Sequence, residues 1–147
     1  MVEIQPPFAE CAIYRHSDTI DRFTPTKVEG LSDVDVVAVS LGDEYSAAIT
    51  SKGDLYVWGY NCYGKLGVGD RIGRATPTKV PGLENVVAVS LGHEHSAAVT
   101  IDGDLYTWGN NDMQIHTVIE SSGVLGLGND TLSRYSPEFV MSGIKTR

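Results

Sequence analysis

The segment Val87–Thr100, VAVSLGHEHSAAVT, repeats the segment Val37–Thr50, VAVSLGDEYSAAIT, at an offset of 50 positions. At the same offset, Gly53–Gly59 (GDLYVWG) recurs as Gly103–Gly109 (GDLYTWG). Ordered blocks that recur at one spacing indicate a duplicated supersecondary unit. The chain is therefore a repeat protein, and its function has to be sought in the repeats.

Further blocks extend the repeat on both sides. Pro25–Val28 matches Pro77–Val80 at an offset of 52, because the following stretch from Leu31 to Val36 is two residues longer than that from Leu83 to Val86. Such differences in length fall in loops. Gly64–Asp70 (GKLGVGD) matches Gly123–Asn129 (GVLGLGN). Pro137–Val140, which follows, matches the start of a further repeat. The sequence predicts two full repeats and two incomplete ones.

The composition of each repeat indicates strands. Short runs of β-branched and small apolar residues are cut by glycine every few positions, and no run is long enough for a helix. Lys52-Gly53 and Asp102-Gly103 lie between such runs, where glycine supplies the positive φ of a hairpin turn. Four strands in about 40–50 residues is the period of a β-propeller. The predicted fold is all-β: a partial β-propeller with two complete four-stranded blades and partial blades at both ends.

The same blocks divide the chain. Residues 1–17 form an atypical N-terminal segment without the expected strand and Trp-Gly pair, and residues 18–147 carry the repeats. The blade repeats span about residues 25–76 and 77–136. An insertion at 112–122 interrupts the second copy in a loop, where added length costs little. Two interpretations of the insertion stay open: a partner-binding finger, or loop drift or a retained intron.

The order of the motifs identifies a family. Val-x-x-Val-Ser-x-Gly-x-x-His-Ser, then Gly-x-Leu-Tyr-x-Trp-Gly-x-Asn and Gly-x-Leu-Gly-x-Gly, resembles the regulator of chromosome condensation repeat over about residues 18–140. The departures are Tyr45, which stands where the motif has histidine, the insertion, and the missing strands at the front. The resemblance implies propeller repeats of the Ran guanine nucleotide exchange factor type.

The number of repeats conflicts with a closed ring. Members of this family close about seven blades, whereas this chain has strands for little more than two. Two blades alone leave apolar faces and strand edges uncovered. Three explanations fit: a fragment of a longer protein, a split propeller completed by other chains, or an aberrant reading frame. We expect the chain to need further blades from the same parent chain or to self-associate.

Composition narrows the class of partner. The chain has 19 acidic and 11 basic residues and a net charge of −8, without a Lys/Arg cluster that could neutralise phosphates. We therefore expect no nucleic-acid binding. Neither a signal peptide nor a long apolar run is present, so no membrane association is expected. Cys11 and Cys62 make no disulfide framework and fit a reducing compartment, which predicts a cytoplasmic or nuclear protein.

Catalytic and metal chemistry find little support in the sequence. His93 and His95 alternate on one strand and could share a metal ion, but a third ligand at suitable spacing is missing. Ser46 and Ser96 have no paired base. We expect no catalytic residue, no metal and no cofactor, and therefore no enzyme.

Two regularly spaced tryptophans, Trp58 and Trp108, end the third strand of each repeat. We expect them to be buried anchors of the blades rather than a stacking or light-sensing surface. Photoreceptors of this fold carry tryptophans between the motif glycine and histidine. Acidic residues and one histidine fill those positions here, which disfavours photoreception.

The resemblance also indicates a binding surface. In this family the Gly-x-x-His loops of successive blades gather on one face near the central shaft, and in the exchange factor such residues contact the Ran GTPase. The candidate partner-binding residues are accordingly Asp43, Glu44, Tyr45, His93, Glu94 and His95. The alternative interpretation of these positions is a solvated acidic loop.

Two classes of function follow from the resemblance. The first is a protein-interaction propeller segment that binds a small GTPase as a guanine nucleotide exchange factor does. The second is a substrate-recruiting or regulatory module of a larger protein such as a HECT-type ubiquitin ligase. A non-functional fragment is the third alternative.

Overall fold

The computed structural model of the chain describes residues 22–111, 124–128 and 132–145. These residues form two antiparallel sheets of four strands each. The first sheet has the strand order β1-β2-β3-β4, and a short 3-10 turn at Cys62–Gly64 lies between its last two strands. Its strands are β1 (Val36–Leu41), β2 (Tyr45–Thr50), β3 (Leu55–Gly59) and β4 (Arg74–Lys79).

The second sheet repeats the first. Its order is β5-β6-β7-β8, with β5 (Val86–Leu91), β6 (His95–Thr100), β7 (Leu105–Gly109) and β8 (Arg134–Met141). Even the irregularities recur, because β1 and β5 each carry a register shift in their first three residues. The predicted all-β fold with two four-stranded blades is confirmed.

The hairpin turns lie where the sequence predicts them. Gly53 and Gly103 have φ angles of 79° and 81°, a region that is open to glycine and strained for other residues. Each glycine amide donates a hydrogen bond of 2.9 Å to the carbonyl of the last residue of the preceding strand, Thr50 or Thr100. The turns therefore join β2 to β3 and β6 to β7 with the same geometry.

The Pro-led segments behave differently at the two ends of the first blade. Residues 74–79 form β4, which pairs with β3, and β4 includes Pro77. The matching Pro25–Val28 lies in a stretch, residues 22–35, that has turns but no strand. A strand needs a partner, and the described residues contain no β3 equivalent ahead of this stretch.

The domain limits at 25–76 and 77–136 remain predictions, and the 112–122 insertion lies outside the described residues.

The hydrophobic core lies between the two blades rather than within either. Backbone bonds join the blades at one end, where the Val86 amide donates to the Gly53 carbonyl at 2.9 Å. At the other end, the Leu91 amide donates to Ser40 Oγ at 3.3 Å. The buried core residues come from both sheets and the loops between them: Tyr45, Ala47, Ile49, Leu55, Val57, Leu66, Val80, Leu83, Val86, Ala98 and Trp108.

One asparagine in each repeat organises the glycine loop that follows the third strand. Asn61 Oδ1 accepts a hydrogen bond from the Leu66 amide at 2.9 Å, and Asn111 Oδ1 accepts one from the Leu125 amide at 3.1 Å. Both asparagines are buried, so these bonds satisfy polar groups that would otherwise be costly. The motif Trp-Gly-x-Asn is therefore a folding signal for the loop.

Candidate partner-binding face

The loops that carry the predicted site residues lie side by side. The β1–β2 loop and the β5–β6 loop leave the same end of the two sheets, and the Asp43 amide donates to the Gly92 carbonyl at 3.3 Å. We call residues 42–45 and 92–95 together the inter-blade face. The structure thus brings the predicted residues of the two repeats onto one surface.

Glycines make this close approach possible. A Cβ on Gly42 would lie 2.9 Å from the Gly92 carbonyl oxygen, and a Cβ on Gly59 would lie 2.5 Å from the Glu44 oxygen. In the second blade, a Cβ on Gly109 would lie 2.4 Å from the Glu94 oxygen. A side chain at any of these positions would push a loop out of place, so the conserved order of glycines within the repeat shapes the face.

Exposed charges dominate the surface of the inter-blade face. His93 Nε2 lies 3.0 Å from Asp43 Oδ2, and His93 Nδ1 lies 3.7 Å from Glu94 Oε1. The His93 and Asp43 side chains are 74% and 52% exposed, so this contact contributes little to folding stability. Glu94 Oε2 also accepts a hydrogen bond of 2.7 Å from Asn110. These groups remain accessible to a partner.

Glu44 and His95 complete the exposed part of the face. Glu44 has a φ of 62°, a left-handed conformation that costs a residue other than glycine free energy. Its carbonyl accepts a hydrogen bond from the Tyr60 amide at 2.9 Å, which holds this conformation. Both Glu44 and His95 are exposed at the surface.

Tyr45 differs from the other five predicted residues because it is buried, with 3% of its surface exposed. Its hydroxyl donates to the His95 carbonyl at 2.8 Å and lies 2.9 Å from Ser96 Oγ. Burial raises the pKa of Tyr45 above its ordinary value. Tyr45 therefore lies beneath the face, where it joins the first blade to the second.

Lys65 is the residue of this site that the sequence analysis missed. Its Nζ donates to the Asp43 carbonyl at 2.9 Å and to the His93 carbonyl at 3.2 Å, and lies 4.7 Å from the centre of the Tyr45 ring. The side chain is buried, which lowers the pKa of Lys65, and the carboxylates of the face oppose that effect. The only signal in the sequence is a lysine in GKLG where the second repeat has valine, in GVLG.

Trp108 supports the site from the second blade. The side chain is fully buried, and its Nε1 donates to the Lys65 carbonyl at 2.9 Å. The prediction that Trp108 is a buried anchor is confirmed. Trp58, at the same position of the first repeat, is only partly buried because no blade covers that side among the described residues.

Cys62 corrects one expectation. It is disulfide-bonded in the structure, so the prediction that the cysteines take no part in a disulfide is wrong. Cys11 lies outside the described residues. Sequence spacing could not reveal this bond because pairing depends on distance in the fold.

Within residues 22–111, 124–128 and 132–145, no group of three or more His, Cys, Asp or Glu side chains is placed to hold a metal ion. In the same ranges, no helix has the length and apolar character needed to span a membrane.

Family models now identify the repeats. The model described as Regulator of chromosome condensation (RCC1) repeat matches residues 16–49 and 52–99, and a second model of the same description matches residues 36–65 and 86–114. The chain belongs to this family. Each RCC1 match runs through one of the two loops of the inter-blade face, so the face is built from the repeat motif itself.

Individual RCC1-repeat proteins are similar over short stretches. The ultraviolet-B receptor UVR8 of Arabidopsis thaliana is 43% identical over 63 residues, which cover 43% of this chain and 14% of the receptor. The E3 ubiquitin-protein ligase HERC2 of Homo sapiens is 40% identical over 73 residues, which cover 47% of this chain and 2% of the ligase. The chain therefore spans a small part of the curated relatives it matches.

A solved structure shows the same fold. The crystal structure of Prp20p from Saccharomyces cerevisiae superposes with a TM-score of 0.63 and 23% sequence identity, over 78% of this chain and 27% of Prp20p. The two blades are therefore a segment of an RCC1-type β-propeller.

Proposed function

We propose that these RCC1 repeats are a protein-interaction segment whose inter-blade face binds a small GTPase in the manner of a guanine nucleotide exchange factor. The observation that carries the proposal is the pairing of the two Gly-x-x loops on one surface. Asp43 and His93 come from equivalent positions of successive repeats and lie within hydrogen-bond distance of each other. A partner that touches one loop therefore meets the other.

The charge of the face indicates the chemistry of the partner. Asp43, Glu44 and Glu94 present carboxylates, whereas the cation of Lys65 points inward to backbone carbonyls. An acidic surface of this kind complements a basic patch on a protein and speeds their association. Prp20p, which shares the fold, has been characterised for its binding to Gsp1p and histones, and the proposal extends protein recognition of this kind to the present chain.

The proposed mechanism requires no covalent step. A protein that binds the nucleotide-free GTPase more tightly than the loaded form shifts the equilibrium toward nucleotide release. The shift equals the differential affinity for the two states. The carboxylates and histidines of the inter-blade face would supply that difference by contacting GTPase residues that the bound nucleotide otherwise orders.

Nucleotide release tests the proposal. The full-length protein is mixed with a panel of small GTPases that carry fluorescent GDP, and the release rate is measured. We expect at least one GTPase to release its nucleotide about tenfold faster or more, and we expect D43N/E94Q to remove most of that gain. The matched control is D33N/E84Q, which changes the same charges at the opposite ends of β1 and β5 and should leave the rate unaltered. If the protein accelerates GDP release from none of the GTPases, the proposal is wrong.

A second candidate function is substrate recruitment by a ubiquitin ligase. The observation in its favour is the 40% identity with HERC2 over 73 residues. In this case D43N/E94Q in the full-length protein should reduce capture and ubiquitination of a protein substrate while nucleotide release stays at its basal rate. The same two variants therefore separate the two candidates.

A further inference from the structure

We propose that Lys65 is the positioning residue of the inter-blade face: its ammonium holds the two loops in one fixed arrangement so that they act as a single surface. This inference rests on the proposed function of that face. Lys65 itself is buried, with 3% of its surface exposed, so a docked partner would not reach its ammonium. Its effect would reach a partner only through the loops that it holds.

The first observation is how the ammonium is bound. The carbonyls of Asp43 and His93 stand at equivalent positions of the two repeats, and one Nζ donates to both, at 2.9 and 3.2 Å. A lysine ammonium has three donors, so one group can bridge two loops that have no chain connection nearby. The Tyr45 ring at 4.7 Å covers the cation on a further side.

The second observation is how the backbone of Lys65 is anchored. The Lys65 carbonyl accepts hydrogen bonds from Ser96 Oγ at 2.8 Å and from Trp108 Nε1 at 2.9 Å. Lys65 belongs to the glycine loop of the first blade, whereas Ser96 and Trp108 belong to the second. The residue is thus fixed to the second blade through its backbone while its side chain reaches the loops of both blades.

The third observation is that stability alone does not explain a lysine here. Taking an ammonium out of water is costly, and a well-packed apolar side chain often serves stability as well or better. The corresponding residue of the second repeat is Val124, so the glycine loop itself does not require lysine. Lys65 lies buried where the two loops of the inter-blade face meet above it, whereas Val124 is 39% exposed.

The consequence concerns the spacing of the acidic groups. The Asp43 and Glu94 carboxylates belong to different blades, and their separation depends on the relative position of the two loops. Without the bridging ammonium, the Asp43 and His93 carbonyls can each turn to water, because both loops are at the surface. We therefore expect the two loops to move more freely relative to each other, with more frequent opening of the Asp43–Gly92 hydrogen bond, and the face to lose its fixed pattern of charge.

Three variants of the full-length protein test this role. K65M keeps the length and volume of the side chain but removes the donors and the charge. K65R keeps donors and charge and should rescue the arrangement. The matched control is K79M, which removes one positive charge from an exposed lysine paired with Asp54 at 2.7 Å.

Amide hydrogen exchange reads the loops directly, without any partner. In K65M we expect the Asp43 and Gly92 amides to exchange about tenfold faster, since both donate bonds within the face, while strand amides and the thermal midpoint stay close to wild type. K65R and K79M should both remain within about twofold of wild type at these amides. Unchanged exchange at both loops in K65M would overturn the proposal. So would a K65M protein that fails to fold, because Lys65 would then be a stability residue.

Nucleotide release adds a functional readout that a purely structural role would not produce. With the responsive GTPase, K65M should raise the concentration needed for half-maximal release about tenfold while the maximal rate is retained, and K65R should restore it. An equal loss in K65M and K65R would contradict the positioning role. If no GTPase responds at all, the proposed function fails, while hydrogen exchange still decides whether Lys65 holds the loops.

Discussion

The two blades have nearly the same sequence and unequal surroundings. Trp108 in the second blade is fully buried against the first, whereas Trp58 at the matching position is only partly buried. The reverse holds on the other side, where Tyr45 is buried and its counterpart His95 is exposed. Each blade is buried on the side where the other blade lies. The repeat sequence therefore determines the strands, and the neighbouring blade determines what is buried.

In the glycine loops, too, the neighbouring blade determines what a single residue contacts. Gly67 and Gly126 have φ angles of 73° and 72° and stand at one motif position. A Cβ on Gly67 would lie 2.6 Å from Trp108 Nε1, whereas among the described residues a Cβ on Gly126 would meet only Val140 Cγ1, at 3.3 Å. The same glycine is thus a packing requirement in one blade and chiefly a backbone requirement in the other.

Replacing each tryptophan by alanine should reveal the unequal burial of the two blades with the largest effect. We expect W108A to lower the free energy of unfolding of the 147-residue chain by about 3–5 kcal/mol, because it removes a buried ring and leaves a cavity. W58A should lower the free energy of unfolding by less than half as much, because the Trp58 ring is only partly buried in this chain. Denaturant titration of the 147-residue chain under conditions that keep it monomeric measures both values. Equal losses would show that burial does not depend on the neighbouring blade.

Alanine at the matched glycines Gly67 and Gly126 tests the same difference between the blades at a single contact. Both G67A and G126A place a Cβ in a left-handed conformation at a cost of roughly 1–2 kcal/mol. G67A should lose about 1–3 kcal/mol more, because the new methyl group collides with the Trp108 ring. Thermal unfolding of the two variants gives the difference. A G126A protein as unstable as G67A would contradict the assignment of that contact to Trp108.

Acid stability distinguishes the blades by a smaller effect. The Arg74 guanidinium, 2.8 Å from Asp70, lowers the pKa of that carboxyl below its ordinary value of 3.8. A lowered pKa contributes stability that is present above pH 3.8 and is lost as pH falls through the folded-state pKa. The second repeat has Asn129 at this position, which does not titrate.

The variant D70N isolates that contribution. The difference in thermal midpoint between wild type and D70N should shrink as pH falls from about 5 to about 3. The effect should be small, because the Asp70 side chain is 37% exposed and water screens the ion pair. A difference that stays constant over this range would mean that the Asp70–Arg74 pair does not contribute to stability.

Much of the fold could be predicted because its signals are local. The hairpin glycines Gly53 and Gly103, the strand lengths and the order of strands within a blade all follow from short stretches of sequence. The pairing of the loops near Asp43 and His93 followed from the family resemblance, since equivalent loops of successive blades lie at the same end. In each case a repeated motif carried the information.

The remaining features depend on contacts between distant residues. Tyr45 departs from the motif histidine, and only the fold shows that its hydroxyl reaches the His95 carbonyl in the next blade. Lys65 would ordinarily be taken for a solvated lysine, since lysine is rarely buried. The disulfide bond of Cys62 was also missed, because disulfide pairing depends on distance in the fold. Spacing in the sequence does not encode which groups meet across an interface.

Each blade of this chain is completed by a neighbouring blade. Apolar side chains remain exposed on both blades, including Leu41 at 75% exposed, with Val39, Ile101 and Phe139 also exposed. Light scattering on the purified 147-residue chain at neutral pH and increasing concentration tests whether the two blades need a further blade to cover them. We predict self-association, because exposed apolar faces and strand edges invite pairing. A monodisperse 15.9 kDa monomer that unfolds cooperatively at every concentration would contradict it.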